Sequence, residues 1–158
     1  MIQWAGLAYP KFASKSFNAL LAVGKATAEC GLPASLRDLV HIRASQLNGC
    51  GLCLEMHVTE AELHGENTQR LLAIPVWRES SRFTAQEKAA LAWTEALTRL
   101  DHGVSDAQYA AAREHFSEAE LVALTFEVGV INMWNRLNIA MGSPAEAGRE
   151  YVLQQAHE

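Results

Sequence analysis

Apolar residues recur along this chain every three or four positions, which is the period of an amphipathic helix. No β-branched run alternates over the length of a strand, and no Asn-Gly or Asp-Gly pair stands between two alternating runs. The pattern predicts helices near 11–29, 35–48, 51–64, 68–73, 84–101, 105–115 and 117–141, followed by a poorly defined tail. We therefore expect a single all-α domain over residues 1–158.

Hydroxyl residues mark several of the predicted helix starts, because each can accept from the backbone N–H three residues further on. The four candidate capping boxes are Ser35 to Asp38, Thr84 to Glu87, Ser105 to Gln108 and Ser117 to Glu120. Glycines stand just past the ends of the apolar-periodic stretches, where a helix commonly stops, at Gly31, Gly65, Gly103 and Gly142.

The last predicted long helix, 117–141, is apolar on nearly every face. A helix of this kind is buried on most sides, either inside a domain or between subunits. A domain of 158 residues has difficulty enclosing a helix of this length on its own. This favours a homo-oligomer.

Composition excludes several classes of protein. Apolar residues make up 49% and charged residues 20% of the chain, as in soluble globular domains. The net charge of −5 and the lack of a basic cluster argue against a nucleic-acid partner. The longest uncharged run, 44–54, is far shorter than the about 20 residues of a membrane span, so no membrane partner is expected. The N-terminus does not resemble a signal peptide, and we expect a cytoplasmic protein.

The three cysteines direct attention to one segment. Their number is odd, which does not suit a secreted disulfide scaffold, and Cys50 and Cys53 stand close together. Asn48-Gly49 breaks one helix, and Cys50 begins the next, where the helix dipole favours the thiolate. The spacing lets the two sulfurs approach bonding distance across one turn. Cys30, at a predicted helix end, is expected to be a small buried apolar residue.

A base and an orienting carboxylate are available near this pair. His57 lies four residues after Cys53, on the same helix face, and can take a proton from the thiol directly or through one water. Asp38, at the start of the preceding helix, is the candidate that orients the imidazole. The predicted catalytic set is therefore Cys53, Cys50, His57 and Asp38.

The same residues also fit other roles. Cys50, Cys53 and His57 could supply three zinc ligands, with His41, His64 or Cys30 as the fourth, in an interaction module. Zinc sites usually take the remaining ligands from a second short cluster, which this chain lacks, so we expect neither a metal nor another cofactor. Asp38 could serve only as a helix cap, and His41 and His64 could be ordinary surface or core histidines. A redox sensor that binds a partner without turnover is the remaining alternative.

The spacing of Asp38, Cys50, Cys53 and His57 resembles the motif of the AhpD-like alkylhydroperoxidases in the carboxymuconolactone decarboxylase superfamily, namely Glu, eleven residues, Cys-x-x-Cys, three residues, His. Further segments that look like this family extend the resemblance over about residues 12–142, and they are 39–40, 43–50, 60–61, 65–66, 71–80, 89–98 and 131–138. The segment Trp134-Asn135-Arg136 belongs to the resemblance without revealing its role.

The resemblance implies an all-helical fold, obligate oligomers such as trimers or hexamers, and a thiol peroxidase cycle that reduces hydroperoxides. Cys53 would be the peroxidatic thiol, His57 its base through water, Cys50 the resolving thiol and the carboxylate at position 38 the end of the relay. The reductant would be an external dithiol, in some members a lipoylated protein.

This chain departs from the family pattern at one position, because Asp38 stands where the motif has Glu. The relay could then be bridged by water, weakened, or replaced by His41, one turn further along the same helix. The lactone decarboxylase branch of the superfamily needs no dithiol, so the retained cysteine pair argues against that activity here.

Overall fold

The computed structural model describes residues 6–156, and residues 1–5 and 157–158 of the predicted domain lie outside them. Within the described residues every regular element is helical and no strand occurs, which confirms the predicted all-α class. The elements in chain order are α1 (Tyr9–Phe12), α2 (Ser14–Ala28), α3 (Ala34–Asn48), α4 (Gly51–Leu63), α5 (Thr68–Ala73), a 3₁₀ turn (Ile74–Val76), α6 (Ala85–Thr98), α7 (Asp106–Arg113), α8 (Glu118–Ala140) and α9 (Glu146–Gln155).

Three of the four predicted capping boxes form. Thr84, Ser105 and Ser117 each accept from the backbone N–H of the third helical residue, whose side chain bonds back to the cap. Caps of this kind stabilise a helix by about 1 kcal/mol. The fourth prediction is wrong, because α3 begins at Ala34 after Pro33 and has no side-chain cap. Ser35 therefore lies inside the first turn, and Asp38 is free for another contact.

Two predicted helix boundaries differ from the structure. The first predicted helix divides into α1 and α2 at Ala13, where the backbone leaves helical angles (φ −131°, ψ 47°). The helix predicted to end at 101 ends at Thr98, because Arg99 takes non-helical angles. The expected glycine stops are confirmed, and Gly31, Gly65, Gly103 and Gly142 all have positive φ.

The tail forms α9, which packs along α4. Gly148 makes this packing possible, because a Cβ at this position would collide with the carbonyl oxygen of Leu52. Gly51 similarly faces Ala145 with no room for a side chain. The C-terminal helix therefore covers the helix that carries the cysteine pair.

Helix α3 runs through the centre of the domain and contributes to two apolar clusters. Val40 packs with residues of α6, α7 and α8, whereas Leu39 and Ile42 pack with the segment around Ile74 and with Leu91. A third, smaller cluster joins Ala44, Ile131 and both cysteines of the pair. The cysteine pair thus lies in the core of the protein.

Helix α8 buries only part of its apolar surface. Leu124, Val128 and Ile131 are almost fully buried. Other large apolar side chains of the same helix remain about half exposed, namely Val122, Phe126, Met133 and Ile139. No helix between residues 6 and 156 is both long and apolar enough to cross a bilayer.

Candidate active site

The turn between α3 and α4 places the cysteine pair. Gly49 ends α3 with left-handed angles (φ 70°, ψ 32°), which reverse the chain, and Cys50 becomes the N-cap of α4. The Cys50 sulfur accepts from the backbone N–H of Cys53 at 3.3 Å. The prediction that Cys50 stands at a helix start is therefore confirmed.

Cys50 and Cys53 are joined by a disulfide, with their Cα atoms 5.4 Å apart. Both residues are buried, at 2% and 0% exposure. While this bond is formed, neither sulfur is a thiolate that could hold zinc, so a zinc site would need the reduced pair. In residues 6–156 no group of three or more His, Cys, Asp or Glu side chains has the arrangement of a metal site.

His57 is buried on α4 and is held by a neighbour on the same helix. Its Nδ1 lies 2.7 Å from a carboxylate oxygen of Glu60. Burial alone would raise the pKa of Glu60. The hydrogen bond from His57 and the charges of His57, His41 and His64 have the larger effect, and they hold this pKa below its ordinary value. The contact with Glu60 engages Nδ1, so Nε2 is the nitrogen of this ring that can act as a base.

Asp38 does not make the direct contact with His57 that the sequence predicted. Its Oδ2 lies 2.7 Å from Nδ1 of His64 instead. The cause is the register of the α3–α4 hairpin, in which the ring of His41 faces that of His57. Asp38 lies one turn further from the reversal and consequently faces a position further along α4.

The buried carboxylate that the sequence reading missed is Glu127 on α8. One of its oxygens lies 2.8 Å from Nε2 of His41, and the other accepts from Nε of Arg37 at 2.7 Å. His41 in turn lies beside His57, with 4.6 Å between the ring centroids. Glu127 is 1% exposed. Glu127 is the one charged residue in the mostly apolar segment 121–135, and this is the signal that could have identified it.

The pKa values of His41 and Glu127 are both lowered, but for different physical reasons. Burial lowers the pKa of His41 below its ordinary value, helped by the charges of His57 and Arg37 and opposed by Glu127. Burial alone would raise the pKa of Glu127, but His41 and Arg37 hold it below the usual range. A charged Glu127 beside a largely neutral His41 fixes the Nε2–H tautomer of that ring.

The segment 131–138, which had no assigned role, ties α8 to the hairpin. Asn48 donates to the side-chain oxygens of Asn132 and Asn135, and Asn135 donates to the Ser45 hydroxyl at 3.1 Å. Asn138 reaches the Cys53 sulfur from the same helix. These amides fix the position of the cysteine pair against α8.

Cys30 was expected to be buried, and this prediction is wrong. The side chain is exposed just past the end of α2, and its sulfur lies 3.4 Å from the carbonyl oxygen of Ala26. It lies in the turn between α2 and α3, where Gly31 takes left-handed angles, and its side chain points to solvent while Leu32 is buried.

The chain is similar to known proteins in both sequence and structure. Residues 14–96 match the model of the carboxymuconolactone decarboxylase family. The uncharacterized protein YdfG of Bacillus subtilis is 35% identical over 140 residues, which cover 88% of this chain and 95% of that protein. The chain belongs to the carboxymuconolactone decarboxylase family, and its fold is that of the AhpD-like members.

Solved structures agree with this assignment. The crystal structure of ATU0492 from Agrobacterium tumefaciens, a protein of unknown function proposed to be the antioxidant defence protein AhpD, has a TM-score of 0.84 and 36% identity, covering 87% of this chain and 95% of that one. An uncharacterized peroxidase-related protein from Ralstonia eutropha, described as an AhpD core, has a TM-score of 0.76 at 19% identity, over 89% of this chain and 78% of its own. The second likeness concerns the fold alone.

Proposed function

We propose that this protein is a thiol-dependent peroxidase that reduces hydroperoxides through Cys50 and Cys53. The observation that carries the proposal is a buried disulfide at the start of α4, the helix that also carries His57 one turn after Cys53. His41 lies against His57, and each imidazole is held by its own carboxylate. Thiol redox chemistry requires this proximity of two sulfurs and of groups that hold protons. The similarity to ATU0492, proposed to be AhpD, supports the same activity.

The first half of the proposed cycle oxidises Cys53. His57, through a water, takes the thiol proton, and the thiolate attacks the terminal oxygen of the hydroperoxide. The O–O bond breaks, the sulfur is oxidised to a sulfenic acid, and the alkoxide that leaves receives the proton as an alcohol.

The second half closes the disulfide. The Cys50 thiolate attacks the Cys53 sulfur, the S–O bond breaks, and the hydroxide that leaves takes up the Cys50 proton as water. An external dithiol then reduces the disulfide by thiol–disulfide exchange and is itself oxidised to a disulfide. A lipoyl group has this chemistry, and we propose a lipoylated protein as the physiological reductant. A reaction that consumes thiols suits the reducing cytoplasm.

The proton relay in this proposal differs from the family motif. Glu60 holds His57, and Glu127 holds His41 against it. Position 38 carries a shorter carboxylate that is paired with His64. We propose that Glu60 and Glu127 together take over the orienting role that the motif gives to the carboxylate at position 38.

A second copy of this chain is the partner we propose for the exposed face of α8. Met133 lines two adjoining apolar grooves on that face, one reaching Leu100 and the other, which Phe126 also lines, reaching Leu20. Exposed apolar surface of this kind typically marks an interface between subunits. We expect a homo-oligomer, a trimer or a hexamer by family resemblance.

Sedimentation equilibrium at micromolar concentration tests the oligomer. We expect a mass that is a multiple of the 17.3 kDa chain. Substitution of Phe126 by Glu should shift the mass toward that of one chain, because burying an unpaired charge in an interface is costly. The matched exposed residue Tyr109, which lies on α7, should tolerate the same change. A wild-type mass equal to one chain would contradict the proposal.

The proposed activity is tested by peroxide consumption with dihydrolipoamide as the reductant. An enzyme continues beyond one peroxide per chain, whereas a redox sensor stops after a single oxidation. Protein purified without chelator should be analysed for zinc in parallel, because a stoichiometric metal would support the interaction module instead.

A further inference from the structure

Asn138 brings an amide N–H to the Cys53 sulfur. It lies in the last turn of α8, is 7% exposed, and its Nδ2 stands 3.6 Å from Sγ. The same nitrogen donates to the carbonyl oxygen of Trp134 at 3.0 Å. Asn138 thus contacts the sulfur to which the proposed cycle assigns the first oxidation.

The orientation of this amide is fixed by its neighbours. The Trp134 carbonyl can only accept, so the amide NH₂ must lie on that side, which is also the side of the sulfur. On the other side the Asn138 oxygen accepts from the hydroxyls of Tyr9 at 3.2 Å and Ser143 at 3.0 Å. Burial raises the pKa of Tyr9, so its hydroxyl stays protonated as a donor at neutral pH.

We propose that Asn138 is a further catalytic residue, which donates a hydrogen bond to the Cys53 sulfur and stabilises it as a thiolate when the disulfide is open. The inference rests on the proposed function and assigns a role to part of the segment 131–138. The amide carries no proton that titrates, so its contribution stays constant with pH.

The ionisable groups around this sulfur come from several elements. Cys50 and His57 lie on α4 with Cys53, and His41 faces His57 from α3. Glu60 and Glu127 act through these two imidazoles, and Tyr9 acts through Asn138. Replacing Asn138 removes the acceptor of Tyr9 and no side-chain contact of the other groups, so a change in the titration of Cys53 reports on the amide.

The test measures the pH dependence of Cys53 alkylation by iodoacetamide in a Cys30→Ser, Cys50→Ser background, where Cys53 is the one remaining thiol. Adding Asn138→Ala should raise the midpoint by about one pH unit, a tenfold change in the ionisation constant, because the variant loses a hydrogen bond that favours the charged sulfur. Thr94→Ala removes a buried hydroxyl of α6 that bonds to the Ala90 carbonyl and not to sulfur, and it should leave the midpoint unchanged.

A second variant tests the same hydrogen bond. If Asn138→Ala does not fold, as judged by circular dichroism, Tyr9→Phe removes one brace of the amide and should raise the midpoint by a smaller amount. An unchanged midpoint in the folded Asn138→Ala variant would overturn the inference and leave Asn138 a structural link. Because alkylation uses no peroxide, the result for Asn138 does not depend on whether the protein has peroxidase activity, and the two proposals can fail independently.

Discussion

Cys53→Ser is expected to abolish peroxide turnover, because a serine hydroxyl is not ionised near neutral pH and cannot form the sulfenic acid. Cys30→Ser removes the exposed thiol outside the disulfide and should retain wild-type activity. Peroxide consumption with dihydrolipoamide measures both variants. Loss of activity in the first and its retention in the second would locate the chemistry at the cysteine pair.

Cys50→Ser should stop the cycle one step later. The sulfenic acid on Cys53 then has no partner thiol, and a dimedone trap followed by mass spectrometry should label Cys53. Dimedone that instead labels Cys50 in the Cys53→Ser variant would reverse the two roles. Failure to trap either thiol after peroxide treatment would contradict the proposed chemistry.

His57→Gln is expected to lower the rate of Cys53 oxidation by about 100-fold or more, which is the usual contribution of a positioned general base. His64→Gln is a matched control, because this histidine directly follows the last residue of the same helix and also bonds a carboxylate through Nδ1. We expect its rate to stay near that of the wild type. Stopped-flow measurement of a single oxidation separates this step from reduction by the dithiol.

Asp38→Asn should behave like the His64 variant, since the structure pairs these two residues with each other. Equal losses in His57→Gln and His64→Gln would indicate general damage to α4. A loss in Asp38→Asn as large as that in His57→Gln would restore the relay that the family motif predicts.

Most of the fold could be predicted because its signals are local. Capping boxes and glycine stops lie within a few residues of the boundaries that they define, and three of the four capping boxes form. The helix α9 had no such signal. Its packing depends on Gly148, whose missing side chain matters only against the backbone of α4.

The candidate site also contains some features that follow from local sequence and others that depend on how the helices pack. The proximity of Cys50 and Cys53 follows from a spacing of three residues, and the disulfide agrees with it. The partner of Asp38 depends on the register of two packed helices, which spacing along the chain does not determine. Glu127 and Asn138 reach the site from α8, more than 80 residues away in sequence, so only the fold brings them there.

The most direct measurement of the central claim is the number of hydroperoxide molecules that each chain consumes with dihydrolipoamide in excess. The proposed cycle predicts consumption that continues well past one peroxide per chain, with lipoamide formed in equal amount. Consumption that ends at one peroxide per chain, or an absence of consumption by a folded and reduced protein, would contradict it.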